Sequence, residues 1–98
     1  MSQFDVYRLP SGALALDLQS DLVETSLRAI APLRPLEDRL PRTRRLNPVL
    51  NVNGESYVLR MESIATVRAS RLPLEPIANL LDQRDKIHAA YDFLFEGL

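Results

Sequence analysis

The chain has 98 residues, 46% of them hydrophobic, with 12 basic and 13 acidic side chains and a formal net charge of −1. This length fits a single domain over 1–98 with a modest core. The absence of cysteine excludes disulfide frameworks and thiolate metal sites, and the balanced charge removes the global basic field that drives nonspecific nucleic-acid binding.

No apolar run approaches the roughly 20 residues that span a membrane. The opening MSQFDVYR carries neither a positive leader nor an apolar signal core. The expectation is a soluble, cytoplasmic protein.

Gln3 to Tyr7 alternates, with Phe4 and Val6 on one face and Asp5 and Tyr7 on the other, which is a strand pattern. Pro10-Ser11-Gly12 is a turn. Ala13 to Leu18 is a second strand-like run that presents Leu14, Leu16 and Leu18 together, although its alanine and leucine content also suits a helix. These two runs predict a hairpin with one hydrophobic side.

Asp17-Leu18-Gln19-Ser20-Asp21 reads as a strand end with side-chain-to-backbone bonds. Leu22, Val23 and then Glu24-Thr25-Ser26 follow. Arg28 to Leu33 is another strand, and Pro32 and Pro35 place it at a sheet edge or strand end. Leu36 to Leu46 is polar, arginine-rich and interrupted by Pro41, so it reads as an exposed loop.

Val49 to Val52 and Glu55 to Leu59 flank Asn53-Gly54, the signature of a type I′ hairpin. Met61 to Val67 is a candidate last short strand, and Arg68 to Glu75 is a connection.

Pro76 to Leu98 is the longest helix-patterned run. Ile77, Leu80, Ile87, Tyr91, Leu94 and Leu98 stack into one stripe that Arg84 interrupts, and Asp82 precedes Lys86 by one helical turn. At about 100° per residue, Phe93 points well away from that stripe and Phe95 sits on its other shoulder. A helix end that is apolar on more than one side predicts a surface for a second protein. Several short strands followed by one helix give an α+β or small-barrel domain.

Few residues propose catalysis. His88 is the only histidine, with no thiol, serine or carboxylate placed by sequence to pair with it and no second strong metal ligand. Asp17 and Asp21 would need opposed environments to act as an acid/base pair, and solvated strand-end carboxylates are the simpler reading. Arg39, Arg42, Arg44 and Arg45 form a local basic cluster suited to phosphate or to an acidic segment of a partner. Glu37 and Asp38 dilute it, and no aromatic platform is interleaved for bases, so a solvated loop is the plainer alternative.

The order of several motifs resembles the CcdB family, the toxins of CcdA–CcdB toxin–antitoxin modules. They are QFDVY at Gln3–Tyr7, DLQSD at Asp17–Asp21, the Pro32-Leu33 pair, LNPVLNVNGESYVL at Leu46–Leu59 and the ending Phe95-Glu96-Gly97-Leu98. The likeness covers nearly the whole chain, with the first hairpin and the Thr25–Ala31 segment slightly shorter than in the best-known member.

The resemblance implies a mostly β protein with one C-terminal α-helix, an SH3-like β-barrel that forms a homodimer. It implies a non-enzymatic, cofactor-free toxin that binds the A subunit of DNA gyrase, traps the cleaved-DNA complex and is neutralised by a CcdA-type antitoxin, with no sequence-specific nucleic-acid or membrane partner. Carried over by position, Leu22, Val23, Asp92, Phe95, Glu96, Gly97 and Leu98 match the gyrase-contacting surface. Arg39, Arg42, Arg44 and Arg45 are the expected antitoxin contacts.

Glu96 stands where the best-known toxin has a tryptophan central to poisoning, and Asp92 replaces a neutral amide. The competing functions are a MazF-type endoribonuclease on the same barrel and an attenuated, non-toxic interaction domain. The first of these needs an acid/base pair and a basic RNA groove.

Overall fold

A computed structural model describes residues 1–23, 25–37 and 41–97. The expectations placed on Glu24, Asp38, Arg39 and Leu98 lie outside the described residues. In chain order the strands are β1 (Asp5–Arg8), β2 (Leu14–Asp17), β3 (Leu27–Pro35), β4 (Val49–Val52), β5 (Glu55–Leu59), β6 (Ala65–Arg68) and β7 (Ala78–Asn79), followed by α1 (Arg84–Glu96).

The strands form one antiparallel sheet in the order β4-β5-β3-β2-β1-β7, with β6 also paired to β3. The sheet curls into a nearly closed barrel. Its two ends are tied by Asn53, which donates from Nδ2 to the Ile77 carbonyl at 3.0 Å. The fold is thus mostly β with a single C-terminal helix, as the sequence predicts.

The longest strand, β3, organises the barrel. Its middle pairs with β2, its first half with β6 and its last residues with β5. Pro32 and Pro35 therefore sit in the most extensively paired strand, Pro35 at its end as proline content suggested and Pro32 inside it, and neither at a sheet edge. In a strand the N and O of one residue point the same way, and the Pro32 carbonyl accepts from the Arg60 amide at 2.9 Å. The absent Pro32 N–H thus falls between β5 and β6, where a 3-10 turn over Met61–Ser63 separates the two strands and no ladder bond is needed.

That turn also corrects the run from Met61 to Val67, of which only Ala65 onward is strand. The Asn-Gly hairpin is as predicted. Asn53 and Gly54 both have positive φ, +52° and +90°, and Val52 faces Glu55 across the turn.

The core gathers Val6, Leu14, Leu16, Leu33, Leu50 and Leu59 from the barrel with Ile87 and Ala90 from the helix. The predicted alternation in the first hairpin fails in one respect. Asp5 and Tyr7, assigned to the face opposite Phe4 and Val6, are buried as well. Closing the sheet covers both faces here, and the polar atoms are paired: the Tyr7 hydroxyl donates to Asp5 Oδ2 at 3.3 Å, and Asn79 donates to Asp5 Oδ1 at 2.9 Å.

The helix is shorter than the pattern from Pro76 suggested. Residues 77–80 instead run along β1: Ala78 and Asn79 pair with Val6 and Asp5, and the amides of Ile77 and Leu80 donate to Val6 and Phe4. The apolar spacing of Ile77 and Leu80 serves barrel packing there, so the helical period was coincidental.

Gln83 clips the helix start to β4. It accepts from the Asn51 amide and donates to the Asn51 carbonyl, both at 2.8 Å. Lys86 Nζ lies 3.3 Å from the Val49 carbonyl, and Asp82 belongs to a 3-10 turn over Leu81–Gln83 that precedes the helix. At the far end Gly97 adopts φ +73° and donates its amide to the Phe93 carbonyl, a left-handed C-cap.

Candidate functional site

Exposed apolar side chains are spread over the surface, Leu74 and Leu81 among them, and four of them fall on two short elements that line one cleft. The loop after β2 presents Leu22 at 94% and Val23 at 52% exposure, and the end of α1 presents Tyr91 at 45% and Phe95 at 59%. Tyr91 and Phe95 lie one turn apart with ring centroids 4.7 Å apart, which leaves a continuous aromatic surface. Asp92, Glu96 and Gly97 are exposed beside them.

A cleft of about 400 Å³ connects the two elements. Leu18, Gln19 and Ser20 line one side, Tyr91 and Phe95 the other, and Phe4 and His88 lie between. The sequence stripe placed Tyr91 with the core; the structure puts its ring on this surface. Phe93 is half-buried, with the Arg45 guanidinium 4.6 Å over its ring.

The loop carrying Leu22 and Val23 is held from below. Arg28, buried in β3, donates from Nε to Asp17 Oδ2 at 2.9 Å and from Nη2 to the Gln19 carbonyl at 3.4 Å. Its Nη2 is also 3.8 Å from Asp21 Oδ1, and that oxygen accepts from the Gln3 amide at 2.9 Å. Ser20 Oγ accepts from the Leu22 amide, closing a local turn.

Asp17 and Asp21 are therefore not two solvated carboxylates. Asp17 is fully buried, and both aspartates converge on Arg28. Burial pushes the Asp17 carboxyl above its ordinary value, and the bonds from Arg28 and the Gln19 amide oppose that rise. Sequence reasoning missed Arg28 altogether. Its signal was an arginine inside an otherwise apolar strand, which demands a buried acid.

Phe4 supports the cleft floor in a strained conformation. Its φ is +72°, held because its amide donates to the Asp17 carbonyl at 2.7 Å and its carbonyl accepts from Leu80 at 2.9 Å. The His88 ring packs on it with centroids 5.7 Å apart. Among the described residues no group of three or more His, Asp or Glu is placed to hold a metal ion, and no helix is long and apolar enough to cross a membrane.

The basic cluster sits elsewhere. Arg42, Arg44 and Arg45 are exposed and line a separate cleft against Lys86 and Ala89 of α1. The two regions share only the helix.

The sequence model of the CcdB protein family matches residues 3–97. The chain belongs to the CcdB family. It is a toxin of the toxin–antitoxin type, from a family of protein-binding toxins and not of catalysts. Among curated proteins, none matches the sequence.

The loop after β2 is held by the buried Arg28–Asp17 pair, and the helix end is closed by the Gly97 cap. The family match ends at residue 97, so it includes the Gly97 cap.

Proposed function

We propose that this protein, one toxin domain over 1–98, binds the A subunit of DNA gyrase and poisons it by holding the cleaved-DNA complex. The observation that carries this reading is the exposed apolar tip. Leu22, Val23 and Phe95 stand more than half exposed, on the loop and the helix end that line one cleft. A patch of this kind has a partner more often than it has none.

In the proposed contact Leu22, Val23 and Phe95 supply buried area. Asp92 and Glu96 supply carboxylates for cationic groups of gyrase. Gly97 lets the backbone approach closely, and Leu98 adds an apolar side chain at the end of the chain. No bond is made or broken by the toxin itself. A ligand that prefers the cleaved state shifts the population toward it by its differential affinity alone.

A homodimer suits this mode, because a twofold pair of tips matches a twofold gyrase A subunit dimer. The remaining cleft surface around Phe4, Ile64 and His88 is available to the second copy. A CcdA-type antitoxin neutralises the toxin, with Arg39, Arg42, Arg44 and Arg45 as its proposed contacts.

The test is toxicity on induced expression in bacterial cells, compared with a chain truncated after Glu96. Growth arrest by the full chain and normal growth with the truncated one support the tip as the docking element. Equal arrest by both would sink it.

A further inference from the structure

A cleft of about 410 Å³ lies between the basic turn, the start of β4 and the outer side of α1. Arg42, Arg44, Arg45 and Lys86 surround it, and its floor is Pro48, Val49 and Ala89. Four cations therefore frame an apolar floor, with no carboxylate among the described lining residues, on a chain whose net charge is −1.

The turn lies outside any strand or helix, yet it is fixed. Asn47, buried beneath it, donates its amide to the Thr43 carbonyl at 2.7 Å, and its Oδ1 accepts from the Thr43 amide at 2.9 Å. Its Nδ2 donates to the Leu59 carbonyl at 3.0 Å and to Glu62 Oε1 at 2.7 Å, which anchors the turn to the barrel.

Two of the cations are also held in place. Arg45 rests 4.6 Å over the Phe93 ring, and Lys86 Nζ lies 3.3 Å from the Val49 carbonyl. A solvated loop needs none of these restraints. A binding site benefits from them, because cations ordered in advance lose less freedom when a ligand arrives.

We propose that this cleft docks a short acidic peptide segment that carries apolar side chains between its carboxylates. The rim of guanidinium and ammonium groups selects carboxylates, with arginine offering the paired geometry that a carboxylate accepts. The apolar floor selects the side chains between them.

Nucleic acid fits less well. Bases need an open aromatic face, none of the described lining residues is aromatic, and the nearby Phe93 ring is covered by Arg45. The carrier of such a segment is the antitoxin, and that assignment rests on the reading given above. The chemistry of the cleft does not.

The experiment uses the purified full chain and a fluorescent synthetic peptide of alternating glutamate and leucine. A polyglutamate peptide of the same length and a single-stranded oligodeoxynucleotide serve as competitors. The alternating peptide binds, weakens as salt rises, and outcompetes both. The double variant Arg44→Glu with Lys86→Glu, which leaves Arg45 on Phe93, binds it about tenfold more weakly or worse.

Circular dichroism and the thermal midpoint check that the double variant is folded. If it is not, the single variant Lys86→Met is used, with weaker binding again expected. No binding by the wild-type chain, unchanged affinity in the folded variant, or tighter binding of the oligonucleotide each overturns the proposal.

Gyrase poisoning is measured separately. A chain that poisons gyrase but ignores the peptide loses the acidic-peptide cleft and keeps the toxin reading. One that binds the peptide but leaves gyrase untouched does the reverse.

Discussion

Arg28 reaches Asp17 with two nitrogens, Nε at 2.9 Å and Nη2 at 2.8 Å, both directed at the same carboxylate oxygen. The pair is buried in the barrel wall between β2 and β3, and the loop bearing Leu22 and Val23 hangs from it through Gln19 and Asp21. Stability and presentation of the tip are therefore linked at one site.

Arg28→Met leaves a buried carboxylate without its partner. Removing one member of a buried ion pair costs about 3–5 kcal/mol. Urea unfolding checks this, and the double variant Asp17→Asn with Arg28→Met recovers part of the loss. A loss below about 1 kcal/mol, the value of a surface pair, would show that the pair contributes little.

The Tyr7 hydroxyl gives a pH prediction. Burial, and then the charge of Asp5, push its pKa from 10.0 up to about 12. The folded state holds the proton that the unfolded chain releases. The stability tied to this proton is complete below pH 10.0 and is lost as pH rises through about 12. Titration of tyrosinate absorbance should show a late step that Tyr7→Phe removes. A late step unchanged in that variant contradicts the assignment.

Gly54 occupies a left-handed turn position at φ +90° with open space where a side chain would go. Gly54→Ala therefore meets no clash and costs only backbone strain, about 1–2 kcal/mol. Thermal unfolding measures it. A neutral effect would mean that the turn relaxes to another type.

The tip residues predict the opposite separation. Leu22 and Phe95 are exposed, so Leu22→Asp and Phe95→Ala should shift stability by no more than about 0.5 kcal/mol. Both should weaken binding to the gyrase A subunit, measured by calorimetry. Glu96→Trp should strengthen it, because an indole adds large buried area and a face for stacking on arginine. Equal affinity across these variants would remove the tip from the interface.

Much of the barrel was legible in the sequence because local chemistry set it. Asn53-Gly54 dictates its own turn, and Leu14 and Leu16 face inward by simple alternation. Two features were not legible. Ile77 and Leu80 carry a helical spacing, but long-range pairing to Val6 and Phe4 claims their backbone, and a period cannot report a partner more than 70 residues away. Asp17 looked like a surface acid because Arg28, which pairs with it, lies on the next strand.

The tip was partly legible. Phe95 sat on the shoulder of the stripe and is exposed, Phe93 pointed away from it and is half-buried, and Tyr91 belonged to the stripe and is exposed as well. The helix presents one more aromatic ring than its apolar period required.

The central claim is that this exposed tip traps gyrase on cleaved DNA. The most direct measurement incubates purified toxin with gyrase, ATP and supercoiled plasmid and counts linearised DNA after denaturation. Linear DNA that accumulates with the wild-type chain, and falls to background with Phe95→Ala or on truncation after Glu96, is the predicted result. Unchanged supercoiling and no linear DNA at saturating toxin would contradict it.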